Sequence, residues 1–444
     1  MMIAALLLII LLLGFFSTFI SRGNLVLLLL LPSSQFLGFI DPMQIAVKGL
    51  FDIHALIVIV IFISILISIN RFKLIFHAKF RVNLLVLIIL WCYGVFYPYF
   101  MGYSSLFYSL KSSKEFLTIF SSVAILLFIN DRKEVDLGWR YIVYLGLYYS
   151  VVEIIGQFTG PSLQKILSYV MRREDFLFTK IYLPFWPVIL FSLLYSYYAL
   201  SLKVYKSYSF AFVSFVGLML TFFRSYLVAT FAIVPLFLVL SGQGLMKIAQ
   251  RINSLIMILT VSVILVAVIF AGGLESLEKI YDKFFASAIT EITTHTGGAL
   301  IGREQVVKSR EKILFKSSLL GYGFIDKDSY MGNKLKHHVH GENLGFIDRG
   351  ILDIPIKFGY LGFLLLIVSL VYVIVLLTKM VNKYNDKLFK VRCMSVASIL
   401  IIGIIVLPVH APFTYSFFLL PLGIAMGLIE KERSLLDTES MISC

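Results

Sequence analysis

The chain has 444 residues, of which 59% are hydrophobic and only 14% are charged. Soluble domains are about 45–50% apolar and about 25% charged, so this composition excludes a water-soluble protein and predicts helices embedded in a lipid bilayer. The net charge of +14 comes from basic residues scattered between apolar runs. Because no basic domain is present to bind a duplex, no nucleic acid is expected as a partner.

Apolar runs long enough to cross a bilayer, which takes about 20 helical residues, fill most of the chain. They predict an all-α polytopic membrane protein that forms one membrane domain, residues 1–444, with about 12–13 transmembrane helices. Only Ser21-Arg22-Gly23 separates the first two spans, so the side of the N-terminus stays open. The predicted spans lie near residues 3–20, 24–40, 52–69, 83–101, 116–130, 140–158, 181–200, 208–223, 225–241, 253–272, 355–378, 393–409 and 412–429.

One large hydrophilic loop, residues 273–354, interrupts the late spans. Lys and Arg accumulate in the cytoplasmic loops of membrane proteins. With the large loop outside the cytoplasm, the cytoplasmic loops hold 19 Lys and Arg and the other short loops hold eight. The bias therefore predicts a large extracytoplasmic loop, and a loop of this length is typically functional or disordered. The helical pattern of 302–315 and the Gly321-Tyr322-Gly323 turn favour an ordered loop.

The large loop carries basic and histidine side chains. Arg303 and Arg310 are seven residues apart and share one face of a predicted helix; a solvated helix on the membrane surface is the alternative interpretation. Further along stand His338, His340 and Asp348. Such a set at the mouth of a helix bundle suits an anionic ligand.

Two patterns in the loop resemble metal sites. The histidines around His340 could bind zinc, but no cysteine lies nearby. Asp326-Lys327-Asp328 fits the DxD pattern of metal-dependent glycosyltransferases, but a metal needs several placed oxygen ligands. The sequence therefore predicts no metal site.

Arg224 lies between two apolar segments with almost no loop around it. An ionisable residue so close to the hydrocarbon is a functional candidate, although an arginine also reaches lipid headgroups by snorkelling. The predicted topology places Arg224 on the same side as the large loop.

These features resemble the superfamily of O-antigen polymerases (Wzy-type) and O-antigen ligases, in layout across most of the chain. Phe223-Arg224-Ser225 resembles the family's Ser-Arg-small motif, with Phe223 in place of the usual serine. Gly302-Arg303, followed by Leu320-Gly321-Tyr322-Gly323, resembles the loop pattern. The segments 347–352 and 358–362 resemble the motif with which the chain returns to the membrane. Ligases have a histidine eleven residues before the Gly359 position, and Asp348 stands there instead, which favours a polymerase.

The resemblance implies a GT-C-like, metal-independent glycosyltransferase without a cofactor, on the periplasmic side of the bacterial inner membrane. It would join repeat units linked to undecaprenyl diphosphate, which serve as donor and acceptor. A polysaccharide chain-length regulator and the lipid bilayer are the other partners implied.

The residue chemistry agrees with this expectation. Arginine stays charged and binds phosphate oxygens with a planar fork, so Arg224 and Arg303, with Arg310, are expected to hold the diphosphate. His340 or Asp348 is expected to take the proton of the acceptor hydroxyl, with His338 as a further substrate-binding candidate.

Two other functions stay open. A ligase would transfer the glycan to lipid A core, and Asp348 is the only feature that separates it from a polymerase. A lipid-linked oligosaccharide flippase or a transporter would be expected to show paired, broken helices, and no such pairing is found in the sequence.

Overall fold

The structure is a computed structural model that describes residues 14, 16–18, 20–33, 53–159, 171–175, 178–182, 186–204, 209–221, 225–226, 228–233, 311, 314–315, 317, 319–326, 328–332, 352–407 and 412–442. The described chain is helical apart from one antiparallel hairpin, in which Met171 pairs with Tyr182 and Asp175 with Phe178. The hairpin occupies the start of the span predicted at 181–200, whose helix begins only at Trp186. Charged residues occupy much of this hairpin, so the apolar run that forms the helix begins only after it.

The elements are numbered in chain order, with short 3₁₀ turns at Ile69–Arg71, Thr118–Phe120 and Pro412–Thr414. They are α1 (Asn24–Ser33), α2 (Ile53–Ile67), α3 (Lys73–His77), α4 (Arg81–Phe100), α5 (Leu106–Leu117), α6 (Ser121–Phe128), α7 (Arg132–Thr159), β1 (Met171–Asp175), β2 (Phe178–Tyr182), α8 (Trp186–Ser201), α9 (Ser209–Leu220), α10 (Asp353–Lys383), α11 (Lys387–Ile405) and α12 (Ser416–Ile442).

Within the described residues, α4, α10 and α11 are long and apolar enough to cross a membrane. A fourth span is present if α2 and the helical turns of Ile69–His77, bent by 68° from it, count as one. The 20 residues of α4 rise about 30 Å, which is the thickness of the hydrocarbon core. These helices agree with the predicted helical membrane protein.

One side of the bundle exposes an apolar surface. Leu85, Ile88 and Phe96 of α4 and Leu364 and Val368 of α10 are all exposed. A contiguous apolar face of this kind is not stable in water but is the normal surface of a helix in lipid.

The other side of the bundle contains a unit of α7, α8 and α9 whose backbones approach closely. A Cβ on Gly146 would lie under 3.0 Å from the backbone of Val188, and one on Gly217 would lie as close to Ser150. Small residues permit such close helix packing in membranes. The buried hydroxyls of Ser192 and Ser214 join α8 to α9 at 2.9 Å.

The span predicted at 116–130 is broken in the structure. Ser105 caps the N-terminus of α5 by accepting a hydrogen bond from the Tyr108 amide. Helix α5 exposes Phe107 and Leu110 and buries Ser109, so its polar face packs against the protein and its apolar face is free. The chain then turns through 3₁₀ geometry into α6, all eight residues of which are buried.

The last helix differs from the sequence-based prediction, which ended the final span at residue 429 and treated Lys431 and Arg433 as loop charges. Helix α12 continues to Ile442, and residues 430–433 are buried. Arg433 donates from Nε to Glu430 at 2.8 Å, and the Lys79 amide donates to the same carboxylate at 2.9 Å. Glu430 and Arg433 are paired inside the protein, and these charges do not end the helix.

Arg392 is the centre of this network and is 2% exposed. Its Nη1 donates to Glu432 at 2.6 Å and its Nη2 to Asp136 at 2.5 Å, so α7, α11 and α12 are joined. Arg132 forms an ion pair with Asp386 nearby. We call this end of the bundle the charged end. The opposite end, where residues 317–332 pack, is the loop end.

Candidate functional site

The loop end is built around the segment 319–326, which packs between α4 and α10. Backbone hydrogen bonds hold it. The Tyr322 amide donates to the Ile356 carbonyl at 2.8 Å, and the Gly323 amide donates to the Lys357 carbonyl at 2.7 Å. The Phe324 amide donates to the Gly94 carbonyl at 2.7 Å. The loop is thus joined to both helices through main-chain atoms.

A break in α10 makes this joint feasible. Gly359 has φ 67° and ψ 177°, far from helical values, so the ladder of helical hydrogen bonds is interrupted there. Carbonyls just before the break then accept from the loop, while the Leu361 amide donates to the Leu319 carbonyl at 3.4 Å. At membrane depth, backbone polar groups freed from a helix need such partners.

Glycine is required at three positions of the joint. Gly321, Gly323 and Gly359 all have positive φ, a conformation that other residues rarely adopt. A Cβ on Gly359 would also lie under 3.0 Å from the Leu319 carbonyl oxygen. We call these three residues, with Gly94 of α4, the glycine joint.

An aromatic cluster surrounds the glycine joint. Tyr93 and Tyr97 stack at 4.9 Å between ring centroids, and the Tyr93 hydroxyl donates to the Leu320 carbonyl. Tyr103 lies 5.8 Å from Tyr322. Burial, with the neighbouring phenols, raises the pKa of Tyr322 above its usual value, so this phenol stays neutral at physiological pH.

A lysine on α5 fixes the end of the segment. Lys111 Nζ lies 3.2 Å from an Asp326 carboxylate oxygen and 3.5 Å from one of Asp328. Partial burial would lower the pKa of Lys111, but the hydrogen bond and charge of Asp326 and the charge of Asp328 raise it. Both carboxylates of the DxD pattern therefore form ion pairs with Lys111.

A second ion pair lies at the start of α10. Lys357 Nζ contacts Asp353 at 2.9 Å, and the Asp353 side chain is 8% exposed. Because the two residues are four apart, they lie on the same helix face. The Lys357 carbonyl also accepts from Gly323, so this turn belongs to the joint.

The residues that the sequence predicts for catalysis and binding fall outside the described part of the chain. These are Arg224, Arg303, Arg310, His338, His340 and Asp348. Described residues flank Arg224 on both sides, Thr221 before it and Ser225 after it. His54 packs edge-on against Phe417 at 5.7 Å, in line with a structural role.

The structure does bring together two patterns that carry the family resemblance, residues 320–323 and 358–362. They meet in the glycine joint. Sequence reasoning missed the roles of Lys111 and Tyr93 because their partners are distant in the chain. It missed Lys357 because an acidic and a basic residue four apart on a helix are too common to indicate a site. Only the spacing of Asp353 and Lys357 signals a pair in advance.

The described residues supply neutral hydroxyls, aromatic faces and paired charges at the loop end. No group of three or more His, Cys, Asp or Glu that could hold a metal ion occurs among the described residues. In comparisons with known proteins, no family model matches the chain and no curated protein matches it.

Proposed function

We propose that the chain is an O-antigen polymerase, a metal-independent glycosyltransferase of the GT-C type in the bacterial inner membrane. It joins undecaprenyl-diphosphate-linked repeat units on the periplasmic face. The loop end is the periplasmic end, in accord with the distribution of Lys and Arg. The bilayer and a chain-length regulator are its other partners.

The observation that carries the proposal is the glycine joint. The loop pattern at 320–323 and the pattern at 358–362 are about 35 residues apart in the chain, yet their backbones touch at Gly321 and Gly359. Hydrogen bonds to residues directly beside the two patterns, Ile356, Lys357 and Leu319, hold them together. Two motifs of an enzyme site are expected to converge in this way, whereas a plain connecting loop has no need to. In the sequence, His340 and Asp348 lie between the two patterns that meet in the joint.

The reaction needs a stabilised leaving group and a proton acceptor. The acceptor hydroxyl oxygen attacks the anomeric carbon, the bond from that carbon to the diphosphate oxygen breaks, and the lipid diphosphate leaves. Arg224 and Arg303 bind the developing negative charge, and Arg310 adds to the same field. Loss of one preorganised donor of this kind typically lowers the rate about 10²–10³-fold.

The proton of the acceptor hydroxyl passes to His340 or Asp348, and His338 helps to bind the sugar. General-base catalysis of this kind contributes about 10²–10⁴-fold. A single displacement inverts the anomeric centre. Analysis of the stereochemistry of the new linkage tests this step, and a retained configuration would contradict it.

The aromatic cluster suits the same substrate. Tyr93 and Tyr97 present stacked rings with polar tips, and such amphipathic rings match a ligand with an apolar face and hydroxyl edges. A lipid-linked sugar at a membrane surface has this character.

A strain that displays its surface polysaccharide as a ladder on a gel provides the test. The native gene is replaced with Arg224→Ala, Arg303→Ala, His340→Ala or Asp348→Ala, and the amount of each protein in the membrane is measured. Arg81→Ala is the matched control, because Arg81 lies at the charged end and, among described contacts, its side chain bonds only to the Phe76 carbonyl.

A polymerase predicts that the deletion strain keeps a single repeat unit on the lipid core, that the four variants reproduce this band, and that Arg81→Ala keeps the ladder. Loss of even the single unit in the deletion strain would indicate a ligase or a flippase. An unchanged ladder in the deletion strain would refute the polymerase for that glycan.

A further inference from the structure

Two arginines from different parts of the chain meet at the C-terminal end of α6. Arg22 Nη1 donates to the Phe128 carbonyl at 3.2 Å and to the Asn130 side-chain oxygen at 3.0 Å. Arg71 Nη1 donates to the Leu127 carbonyl at 3.4 Å and to the same Asn130 oxygen. Because both guanidinium groups bond to one oxygen atom, their positive charges lie side by side. Each group keeps its Nε and Nη2 donors without a hydrogen bond to any described residue.

Lys431 of α12 adds a third cation at the same level of the bundle. A Cβ on Gly423 would lie 2.5 Å from Ser121 Oγ, and one on Gly427 would lie 2.9 Å from the Ile125 Cβ. Both contacts advance by four residues in the same direction, so α12 and α6 run parallel and in register. Lys431 follows Gly427 by four residues and lies on the same face of α12. It is therefore level with the C-terminal end of α6.

The ammonium group of Lys431 is buried without a partner. Lys431 is 7% exposed, and it forms no hydrogen bond or ion pair within the part of the chain that the structure describes. Burial, followed by the positive charges of Arg71 and Arg22, lowers the pKa of Lys431, while Glu134 and Asp131 oppose this shift. A buried charge normally has a partner of opposite sign, whereas Lys431 faces two further cations. We call the three basic residues, Lys431, Arg22 and Arg71, the cationic cluster.

The two carboxylates beside the cationic cluster bond to main-chain amides. Glu134 accepts from the Arg22 amide at 3.1 Å and from the Asn130 amide at 2.7 Å. Asp131 accepts from the Glu134 amide at 2.9 Å. Among the described contacts, neither carboxylate forms an ion pair with a side chain of the cluster. The positive charge of the cluster is therefore only partly offset by the protein.

A role in helix capping explains only part of this arrangement. Cations near the last carbonyls of a helix are stabilising, which accounts for Arg22 and Arg71 at the end of α6. Lys431 bonds to none of these carbonyls among the described contacts. A buried lysine beside two arginines instead indicates a site for an anion.

The surroundings of the cationic cluster suit an amphiphilic anion. Leu66 and Ile69, just before Arg71, are 62% and 60% exposed, and Ile20, just before Arg22, is 89% exposed. Exposed apolar side chains at the edge of a membrane protein contact the acyl chains of lipids. The predicted topology places the charged end at the cytoplasmic face, and the cytoplasmic leaflet carries anionic lipids.

We propose that the cationic cluster binds the phosphate group of an anionic lipid headgroup. The Nε and Nη2 donors of a guanidinium form a planar fork that matches two phosphate oxygens. The Lys431 ammonium adds a point charge, and the phosphate offsets the repulsion among the three cations. The acyl chains lie on the apolar side chains beside the cluster. The site lies at the opposite end of the bundle from the glycine joint, so it does not depend on the proposed glycosyl transfer.

Thermal unfolding of the purified full-length protein in detergent tests the site. A ligand that binds only the folded protein raises Tm as its concentration rises. We expect phosphatidylglycerol to raise Tm. Phosphatidylcholine with the same acyl chains should leave Tm unchanged, and so should inorganic phosphate without lipid.

Variants of the cationic cluster assign this response to its residues. Lys431→Gln and Arg71→Gln should each weaken the binding of phosphatidylglycerol about 10-fold or more, because each removes a charge-assisted hydrogen bond. Lys431→Arg keeps the charge and should keep the response. Lys387→Gln is the matched control, because Lys387 is an exposed lysine of the charged end, and it should respond as the wild type does.

The Tm without lipid separates binding from a purely structural role. Lys431→Gln removes an unpaired buried charge, so its Tm without lipid should be no lower than that of the wild type. A lysine that serves only the fold would lower Tm equally with and without lipid, which would overturn the site.

Three further results would overturn the proposal. One is an unchanged Tm of the wild type in phosphatidylglycerol, and another is an equal gain in the wild type and in Lys431→Gln. The third is an equal gain from phosphatidylcholine, which would show that acyl chains alone bind. A gain from inorganic phosphate alone would overturn the lipid headgroup as the ligand.

Discussion

Replacement of Gly359 by alanine is the sharpest test of the glycine joint. The φ and ψ of Gly359 lie in a region that is essentially restricted to glycine. The new Cβ would also meet the Leu319 carbonyl oxygen and the Leu320 amide. Since both neighbours are backbone atoms, the segment 319–326 has to move away from α10.

The expected loss follows from the contacts. Strained backbone of this kind costs about 1–3 kcal/mol. The two hydrogen bonds from Tyr322 and Gly323 to α10 contribute about 0.5–1.5 kcal/mol each. Together, the backbone strain and the two lost hydrogen bonds destabilise the docked state of the loop by about 4 kcal/mol. This corresponds to about a 1,000-fold change in the docking equilibrium.

Hydrogen exchange of the loop amides, followed by mass spectrometry, measures this change directly. Gly359→Ala should speed exchange at Tyr322 and Gly323 by about 100-fold to 1,000-fold. Gly102→Ala is the control, because Gly102 has nearly the same φ and no atom within 4 Å of the added Cβ. It should leave these amides protected. Unchanged exchange in Gly359→Ala, or an equal effect in Gly102→Ala, would refute the reasoning.

Three further predictions concern the ion pairs. Lys111→Ala should destabilise the loop by only about 1 kcal/mol, because the pair is partly exposed, and limited proteolysis should show faster cleavage near residue 326 that Lys111→Arg prevents. Arg392→Met should lower the unfolding free energy by about 3–5 kcal/mol, because Glu432 is left buried and unpaired; an unchanged thermal midpoint would contradict this. Burial alone would raise the pKa of Asp437, but the Tyr384 hydrogen bond and nearby cations lower it. Its stabilisation is therefore complete above the ordinary value of about 3.9 and is lost as the pH falls through the lowered pKa. Asp437→Asn should remove this acid-dependent part of the thermal midpoint.

Hydropathy predicted the positions of several helices well. The spans predicted at 52–69, 83–101 and 393–409 coincide closely with α2, α4 and α11. This success has a physical cause, since a helix in lipid needs a long apolar run whatever its neighbours are.

The sequence-based prediction of helices fails where charged side chains are buried as ion pairs. The charged residues after Ile429 look like a soluble tail, yet partners from α11, from the end of α3 and from the connection between α3 and α4 allow α12 to carry them inside. A single-sequence pattern contains no information about such partners. The break between α5 and α6 was missed for a related reason, because the polar face of α5 is covered by the loop.

The candidate site likewise contains features that the sequence predicted and features that it did not. The glycines of 320–323 and 358–362 were recognisable as patterns, and the turn at Gly321 was predicted. Their mutual contact was not, because it joins residues far apart in the chain. The pair of Lys111 with Asp326 spans 215 residues and has no local signature. The predicted catalytic residues, His340 and Asp348, stay predictions.

The charged end has a consequence for biogenesis. The Lys79 amide bonds to Glu430, 351 residues later, and Arg433 reaches the His77 carbonyl over 356 residues. Chains are synthesised from the N-terminus, so the early helices wait for the last one before this end can close. A product that stops at Ile429 would contain every predicted span. It would still lack Glu430 and Arg433, whose contacts join α12 to the early part of the chain. This end of the bundle therefore assembles only after α12 has been synthesised.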